Sequence, residues 1–183
     1  VDAATRAMLD LVHSKAAAVV RNVSRSKNPM ADRRLVQGLL RRACLSPHLL
    51  HTSLSPSAQA LIGELQLPDI LGVKVEYVKS VLTSFKEAQE RCVVFCYSNA
   101  LVHDMATAFA AEGITSVLFT GAESQKQRDA AVAQFNDPDA PVTAFLATDA
   151  AAEGLNLGRC CSTLIQMDMP FTTKTIIQRV NRI

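Results

Sequence analysis

The sequence predicts an α/β protein in which a parallel sheet with helices on both faces follows a mostly helical segment. Up to residue 90, apolar residues recur at the spacing of amphipathic helices. From Arg91 onward, short apolar runs alternate with stretches of helical length, and the connections between them are short. This alternation is typical of parallel strands joined by crossover helices. We therefore divide the chain into a helical segment, residues 1–90, and an α/β domain, residues 91–183.

Four helices are predicted in the helical segment. Asp2–Val23 carries apolar side chains at a loose helical period. Asp32–Cys44 is expected to be a second helix, capped by its aspartate, whose side chain can accept hydrogen bonds from the first free backbone N–H groups. A third helix is predicted to begin at Ser55 and Pro56, where a capping residue precedes a proline. Lys74–Ala88 has apolar residues at helical spacing and is the fourth.

The α/β domain has four predicted strands and three predicted helices. Each strand is an apolar run too short for a helix, as is typical of a buried parallel strand. The strands are Val93–Tyr97, Ser116–Phe119, Thr143–Ala147 and Leu164–Met167. The helices are Ala100–Ala111, Ser124–Phe135 and Thr172–Arg182. Ser124, and Thr172 or Thr173, are expected as N-caps, and Gly113 is expected as a C-cap.

The composition excludes a disordered chain and a membrane-spanning one. Hydrophobic residues make up 49% of the 183 residues, which is enough for a packed core. No apolar run reaches the roughly 18 residues that a membrane helix needs. The five cysteines show no CxxC spacing, so we expect free thiols, with no disulfide and no metal site. We therefore expect a reducing intracellular compartment, either the cytoplasm of a prokaryote or the nucleus of a eukaryote.

Net charge gives no decisive indication of a partner. Its value is +2, which is too small to argue for nucleic-acid binding. Basic residues are concentrated in one stretch, Arg21–Arg42, where only Asp32 opposes them. Two interpretations of this basic stretch are about equally favoured: a helix face exposed to solvent, or a patch that faces phosphate groups.

Small or polar residues follow every predicted strand. Ligands of parallel α/β sheets bind at the carboxyl ends of the strands, so these residues form the candidate site. Taken one at a time, ordinary turn chemistry explains the same residue types, because Ser, Asn, Asp and Gly are common in loops. The residues are Ser98 and Asn99 after the first strand, Thr120 and Gly121 after the second, Thr148 and Asp149 after the third, and Asp168 after the fourth.

The order and spacing of two segments resemble helicase motifs. Ala147–Leu157 resembles motif V, whose usual form is near STxAGGxGLNL. The second segment resembles motif VI with its preceding PW pair, and it consists of Pro170 and Phe171 followed by Gln178 and Arg182. The two motifs at this separation are the specific part of the resemblance. They are similar to the second RecA-like lobe of Snf-type (Swi/Snf-like) ATPases of the helicase superfamily.

Three weaker segments agree with this resemblance by their positions. Val94–Ser98 is similar to motif IV, and Leu39–Leu50 is similar to the LRxxCxHPxLL segment that the family carries between its lobes. The third resembles a family segment with the pattern DGxxxxxxR followed by FN, and it consists of Phe119–Gly121, Arg128 and Phe135–Asn136. The chain departs from the motif V pattern at positions 151 and 152, where alanines replace the usual glycines.

The resemblance implies a role in ATP hydrolysis for the motif VI helix. Arg182 is implied as an arginine finger, exposed on the cleft side with no carboxylate fixing it, that stabilises charge on the transferred phosphoryl group. Gln178 is implied as a contact to the nucleotide region. Arg179 is a weaker nucleotide-site candidate, since it points about 100° away from Gln178 on the helix. In motif V, Gly154 is expected to allow close backbone approach to a ligand, and Asn156 to hydrogen-bond a ribose hydroxyl or a neighbouring loop.

The resemblance also implies nucleic-acid contacts along the strand ends. The expected contacts to a sugar–phosphate backbone are Ser98, Gly121 and Thr148, with their neighbours Asn99 and Asp149. Hydroxyl and backbone N–H groups suit such a sequence-independent grip. The implied partner is double-stranded DNA, and no membrane is involved.

ATP with Mg²⁺ is the implied cofactor, although neither a GxxxxGK(S/T) sequence nor a DExx box is present. In the family both belong to the first RecA-like lobe of the same polypeptide, which is expected to hold most of the Mg²⁺. The family's second motif VI arginine would fall three residues past Arg182. The implied function is therefore the second motor lobe of a DNA-dependent ATPase or translocase, and this chain alone is expected to be inactive.

Two other functions stay open at this point. One is another helicase branch of the same superfamily, such as an RNA helicase, against which Leu39–Leu50 argues. The other is a doubly wound binding domain without a motor role, because fold alone implies no function. Such a domain would not need Gln178 and Arg182 at a cleft, and a buried structural salt bridge at those positions would favour it.

Overall fold

A computed structural model describes residues 29–52, 54, 56, 58–59, 69–151 and 155–183, with isolated positions between residues 3 and 14. The chain divides into two compact units, Val1–Glu76 and Tyr77–Ile183. The isolated positions are helical, and so are residues 56, 58 and 59, while the remainder of the first and third predicted helices lies outside the described residues. None of the described helices is long and apolar enough to cross a bilayer.

In the first unit, helix α1 (Pro29–Leu45) leads into a short 3₁₀ turn, Pro47–Leu50. The predicted cap at Asp32 is wrong, because the helix already begins at Pro29. A proline suits the first helical position, where its missing N–H would have no intrahelical partner. The apolar face of α1 packs against the turn. Among the described residues of this unit, a buried apolar cluster is formed by Leu39, Ala43, Leu50 and Ala58.

A tight turn at Gly72 brings the chain back against Pro47. Gly72 has φ +87, which lies in the left-handed region, and a β-carbon there would lie 2.7 Å from Cδ of Pro47. Helix α2 (Val73–Glu87) starts directly after this turn, one residue before its predicted start. The division between the two compact units falls within α2, earlier than the boundary predicted from the change of period at residue 91.

We expect Gly72→Ala to destabilise the first unit. A side chain in the left-handed region costs about 1–2 kcal/mol, and the close approach to Pro47 adds to that cost. Gly38→Ala is the matched control, since nothing lies within 4 Å of a β-carbon added at this position of α1. Alanine is favoured over glycine in a helix by about 1 kcal/mol. The midpoint of urea unfolding should therefore fall in Gly72→Ala and rise in Gly38→Ala. Equal midpoints would contradict the assigned turn.

The second unit contains the predicted parallel sheet. All three strand pairs are parallel, in the order β2-β3-β1-β4. The bounds are β1 (Cys92–Phe95), β2 (Ser116–Phe119), β3 (Ala144–Ala147) and β4 (Leu164–Gln166). The prediction of a parallel α/β sheet is confirmed, and each strand end lies within two residues of its predicted position.

Three helices connect or follow the strands. They are α3 (Asn99–Ala111), α4 (Gln125–Asn136) and α5 (Thr173–Val180). The predicted caps are confirmed: Ser124 forms a capping box with Gln127, and Thr172 caps α5. Gly113, with φ +68, follows the C-terminal end of α3. The helix boundaries thus come from local hydrogen bonds that single residues provide.

The crossovers place helices on both faces of the sheet. The chain moves from β1 past β3 to β2 through α3, and it returns from β2 to β3 through α4. Because parallel crossovers are right-handed, these opposite directions of travel put α3 and α4 on opposite faces. On the α4 face, the ring of Phe145 contacts those of Phe119 and Phe135, with centroids 5.8 and 5.1 Å away. This aromatic cluster is the centre of the core on that face.

Candidate functional site

One edge of the sheet collects the residues that follow the strands. The register pairs Phe95 with Ala147 and Gln166, and Phe119 with Ala147, so the four strands end level. The loops after them lie side by side, where parallel sheets bind ligands. We call this part of the molecule, formed by residues 96–99, 120–123, 148–151 and 167–168, the carboxyl edge.

Three predicted nucleic-acid contacts, Ser98, Asn99 and Gly121, are at least partly exposed on the carboxyl edge. The hydroxyl of Ser98 caps α3 by accepting a hydrogen bond from the N–H of Leu101 at 3.4 Å. A β-carbon at Gly121 would lie 3.8 Å from Nδ2 of Asn99, so the loops after β1 and β2 meet there. Since Asn99 is the first residue of α3, the free N–H groups of this helix end favour an anion nearby.

The two residues after β3 differ in exposure. Thr148 is almost fully buried, and its N–H donates to the carbonyl of Phe119 at 3.1 Å. Asp149 begins a 3₁₀ turn, Asp149–Ala151, and its side chain is 50% exposed. Thr148 therefore ties the loop after β3 to β2, and its contact with nucleic acid stays a prediction, as does that of Asp149.

An ionised glutamate orders the loop after β2. Oε2 of Glu123 accepts a hydrogen bond from the N–H of Thr120 at 2.6 Å, and Oε1 lies 3.2 Å from Nε2 of His103. Burial raises the pKa of Glu123, but hydrogen bonds from Thr120 and the nearby His103 outweigh that effect and hold the pKa below its ordinary value. The carboxylate is therefore charged at neutral pH and fixes the loop that contains Gly121.

Two side chains of α4 connect this helix to neighbouring loops. The guanidinium of Arg128 lies 5.7 Å from the ring centroid of Phe119, and Nη1 donates to the carbonyl of Thr120 at 3.4 Å. At the other end of α4, Nδ2 of Asn136 donates to the carbonyl of Asn156 at 3.0 Å. Both residues belong to the DGxxxxxxR and FN resemblance, and both position loops.

A buried arginine occupies the centre of the carboxyl edge. Arg179 of α5 is 0% exposed. Its Nε donates to Oδ1 of Asp149 at 2.8 Å, and its Nη1 lies 3.7 Å from Oδ1 of Asp168. The same guanidinium lies 5.3 Å from the ring centroid of Phe95. Nη1 also donates to the carbonyl of Asp168 at 3.4 Å and to Oε1 of Gln166 at 3.5 Å. Because these partners are groups of the protein, a direct contact between Arg179 and a nucleotide stays a prediction.

Arg182 is held by backbone groups. Its Nε donates to the carbonyl of Gln178 at 2.9 Å, and its Nη1 donates to that of Leu155 at 3.0 Å. The carbonyl of Arg182 accepts a hydrogen bond from the N–H of Leu157 at 2.7 Å. The side chain is partly buried, not exposed as expected from the sequence, because these contacts fold it against residues 155–157. Among the described residues, no carboxylate pairs with it and Nη2 has no hydrogen-bond partner.

The other motif V and VI candidates lie around the same segment. Gly154 lies outside the described residues. Asn156 is exposed, and its Oδ1 accepts a hydrogen bond from the N–H of Gly158 at 3.2 Å in a local turn. Gln178 is partly buried. The structure therefore brings Asn156, Gln178 and Arg182 together, through the bonds that Arg182 makes with residues 155, 157 and 178.

Asp168 has a structural role that its sequence position alone does not indicate. Its Oδ1 accepts a hydrogen bond from the N–H of Tyr97 at 2.9 Å while the carboxylate faces Arg179. Asp168 is itself buried, so it joins the loops after β1 and β4 inside the fold. An acidic residue directly after a predicted strand is the available signal, but its arginine partner lies 11 positions away in the sequence.

Comparison with known proteins relates this chain to helicases. Residues 73–183 match the model of a family described as the helicase conserved C-terminal domain. The chain is 31% identical over 96 residues to the ATP-dependent RNA helicase RhlB of Haemophilus influenzae. It is 29% identical over 93 residues to the probable ATP-dependent RNA helicase ddx17 of Dictyostelium discoideum. These matches take in 52% and 51% of this chain but 22% and 12% of the relatives, so the chain corresponds to a small part of their length.

Solved structures share the fold at low sequence identity. The C-terminal part of the Fun30 ATPase domain has a TM-score of 0.70 at 14% identity, covering 99% of this chain and 76% of that one. The Sulfolobus solfataricus SWI2/SNF2 ATPase C-terminal domain has a TM-score of 0.68 at 14% identity, covering 89% and 67%. S. cerevisiae Dbp5 bound to RNA and ADP BeF3 has a TM-score of 0.51 at 12% identity, covering 71% and 39%. The predicted RecA-like α/β fold, preceded by a helical segment, is thereby confirmed.

Proposed function

Because the chain belongs to the family of helicase conserved C-terminal domains, we propose that it is the second motor lobe of a DNA-dependent ATPase or translocase of the Snf type. In this proposal a first RecA-like lobe of the same polypeptide holds ATP. This chain contributes an arginine to the ATP site and a surface for nucleic acid. It does not hydrolyse ATP by itself.

The placement of Arg182 carries the proposal. Two carbonyl oxygens, those of Gln178 and Leu155, hold its guanidinium, while Nη2 has no partner among the described residues. A guanidinium held in this way presents its remaining donors in a fixed direction. An arginine that acts on a phosphate from a facing lobe requires this pre-organisation.

The described residues around Arg182 suit a nucleotide better than a metal ion. Arg182 offers N–H donors, and Gln178 and Asn156 offer amide groups, all of which suit phosphate or ribose oxygens. In the described part of the chain, no group of three or more His, Cys, Asp or Glu residues is placed to hold a metal ion. We therefore assign Mg²⁺ chiefly to the first lobe.

The carboxyl edge supplies the nucleic-acid surface in this proposal. Ser98, Asn99 and Gly121 present hydroxyl, amide and backbone N–H groups at the N-terminal end of α3. Such groups contact the sugar–phosphate backbone without reading bases. Because few phosphates are neutralised by these uncharged groups, binding by this lobe alone is expected to be weak.

We expect Asn99→Ala to raise the nucleic-acid concentration that gives half-maximal ATPase stimulation of the full-length protein by about tenfold. A hydrogen bond to a charged group such as phosphate contributes about 1.5 kcal/mol or more. Gln134→Ala is the matched control, since Gln134 is an exposed amide near the end of α4 that leads to the opposite edge of the sheet. The same half-saturating concentration in both variants would argue against the assigned surface.

Two kinds of nucleic acid are candidates for that surface. The resemblance of Leu39–Leu50 to the Snf-type interlobe segment supports double-stranded DNA. The sequence relatives RhlB and ddx17 are described as RNA helicases, which makes RNA the second candidate.

Steady-state ATP hydrolysis by the full-length protein tests the proposal. The rate is measured with duplex DNA, with duplex or single-stranded RNA, and without nucleic acid. We expect duplex DNA to stimulate the rate most. Stronger stimulation by RNA would place the protein in the RNA helicase branch, and no stimulation by either would overturn the proposed function.

A further inference from the structure

The arginines of helix α1 differ in what they contact. Arg42 is partly buried, and its Nη1 donates to the carbonyls of Leu49 at 3.2 Å and of Thr52 at 3.0 Å. It therefore holds the chain that follows the helix. Arg33 and Arg34 are exposed, and among the described residues neither side chain has a hydrogen bond or an ion pair. Folding of this unit accounts for Arg42 but not for the other two.

The remaining arginines of α1 share one side of the helix. At 100° per residue, positions 33, 34 and 41 fall within an arc of about 100°. Arg41 is partly buried, and the buried residues Leu39 and Ala43 lie on the other side. Among the described residues of α1, none that is exposed is acidic. We call Arg33, Arg34 and Arg41 the basic face of α1.

The basic face differs from an ordinary solvated helix surface. Such a surface gains stability from opposite charges three or four residues apart. The basic face carries charge of one sign, and Arg33 and Arg34 have no carboxylate partner in the described part of the chain. Like charges on one side of a helix repel one another until an anion neutralises them. The arrangement therefore suits a bound polyanion better than solvent.

A glycine interrupts the same side of α1. Gly38 lies four residues after Arg34 and three before Arg41, so it is next to both on the helix surface. Glycine is less favourable than alanine inside a helix. A β-carbon at Gly38 would nevertheless meet nothing within 4 Å, so packing within the protein does not require a glycine there. The missing side chain leaves the helix backbone open to close approach by a ligand.

We propose that the basic face of α1 is a second nucleic-acid surface, which contacts the sugar–phosphate backbone of a duplex and lies closest to it at Gly38. The inference rests on the proposed function, which supplies the nucleic acid. Arg34 and Arg41 are two helical turns apart, about 10.5 Å along the axis, which is the length of about three base-pair steps of a duplex. Their planar sets of N–H donors match phosphate oxygens. Because phosphates are the same at every step, this surface adds affinity without sequence preference.

Binding of a mixed-sequence DNA duplex to the full-length protein, measured over a range of salt concentrations, tests this surface. We expect Arg34→Gln to weaken binding about tenfold, the usual scale for losing a hydrogen bond to a charged group. A plot of log affinity against log salt should become less steep by about 0.9 for each arginine replaced, because fewer counterions are released. The double variant Arg33→Gln/Arg34→Gln should therefore show about twice the change of slope. Both side chains are exposed, so the variants are expected to fold.

Arg159→Gln is the matched control for the arginine variants. It removes the same charge from an exposed position in the second unit, outside the motifs. We expect it to leave the affinity and the salt slope near those of the wild type. A loss as large as that in Arg34→Gln would show an effect of net charge alone and would overturn the basic face as a binding surface.

Gly38→Ala separates binding from folding. This variant is expected to be more stable than the wild type, because alanine is favoured in a helix and its β-carbon meets no other atom of the protein. We expect it to bind the duplex more weakly, since the added methyl group lies where the phosphate backbone approaches. Loss of folding cannot explain weaker binding by a more stable protein. Wild-type affinity in Gly38→Ala would overturn the close approach at this residue.

The outcomes separate this inference from the proposed function. Unchanged affinity and slope in Arg33→Gln/Arg34→Gln, with a wild type whose ATPase rate duplex DNA stimulates, would overturn the surface and leave the proposed function standing. Binding of the wild type to poly-glutamate that the double variant loses, with duplex binding kept, would assign the basic face to an acidic protein and overturn the inference. A wild type that duplex DNA neither binds nor stimulates would overturn both.

Discussion

Replacing Arg182 by alanine in the full-length protein is expected to lower the rate of ATP hydrolysis by about 10³-fold or more, as is typical of arginine fingers, and to leave nucleotide binding largely intact. The hydrogen bond from the N–H of Leu157 to the carbonyl of Arg182, at 2.7 Å, does not involve the side chain. Residues 155–157 therefore keep this anchor in the variant, and the loss of rate reports on the guanidinium. Steady-state ATPase assays with saturating nucleic acid and equilibrium nucleotide binding measure the two effects.

Two other substitutions control this experiment. Arg182→Lys should restore little activity, because an ammonium group lacks the planar set of donors that matches phosphate oxygens. Arg159→Ala should be near neutral, since Arg159 is exposed in the loop before β4 and outside the motifs. Wild-type turnover by the Arg182→Ala protein would remove the finger assignment and weaken the proposed motor function with it.

Replacing Phe145 by alanine is expected to destabilise the second unit by about 3–5 kcal/mol, the usual cost of deleting a buried aromatic side chain. Phe145 lies in β3, which has a strand on either side, and it is fully buried against Phe119 and Phe135. The two neighbouring strands hold the backbone in place, so the structure cannot collapse into the space left by the ring. Urea unfolding followed by circular dichroism measures the loss.

Phe171→Ala is the control for this substitution. The Phe171 side chain is 70% exposed, and changes at such surface positions usually alter stability by no more than about 0.5 kcal/mol. Comparable losses for Phe145→Ala and Phe171→Ala would contradict the packing described for the α4 face of the sheet.

Local patterns in the sequence are sufficient to predict the order and kind of the elements in the second unit. A strand buried on both faces reads as a short apolar run, as in Cys92–Phe95 and Ala144–Ala147. A helix start is set by one side chain that binds a backbone N–H within three residues, as at Ser124 and Thr172. A helix between successive strands serves as the crossover that parallel strands need, and parallel strands bring their carboxyl ends to one edge.

Burial of individual polar residues does not follow from such patterns. The cap expected at Asp32 was displaced because Pro29 opens the helix three residues earlier. Arg182 was expected to be exposed, and it is partly buried because Leu155 supplies an acceptor 27 positions away. A local pattern identifies the helix on which a residue lies, but it does not identify the atoms that the remainder of the fold brings to that residue.

The arginine network shows why this information is absent from local sequence. Arg179 and Arg182 are arginines three positions apart on one short segment, and residue type gives no reason to bury the first more deeply. The difference arises from partners 30 and 11 positions away, Asp149 and Asp168, which the strand order β2-β3-β1-β4 brings next to α5. A guanidinium is buried where two carboxylates meet it, because ion pairing and hydrogen bonds compensate for the loss of water only when all the partners are in place.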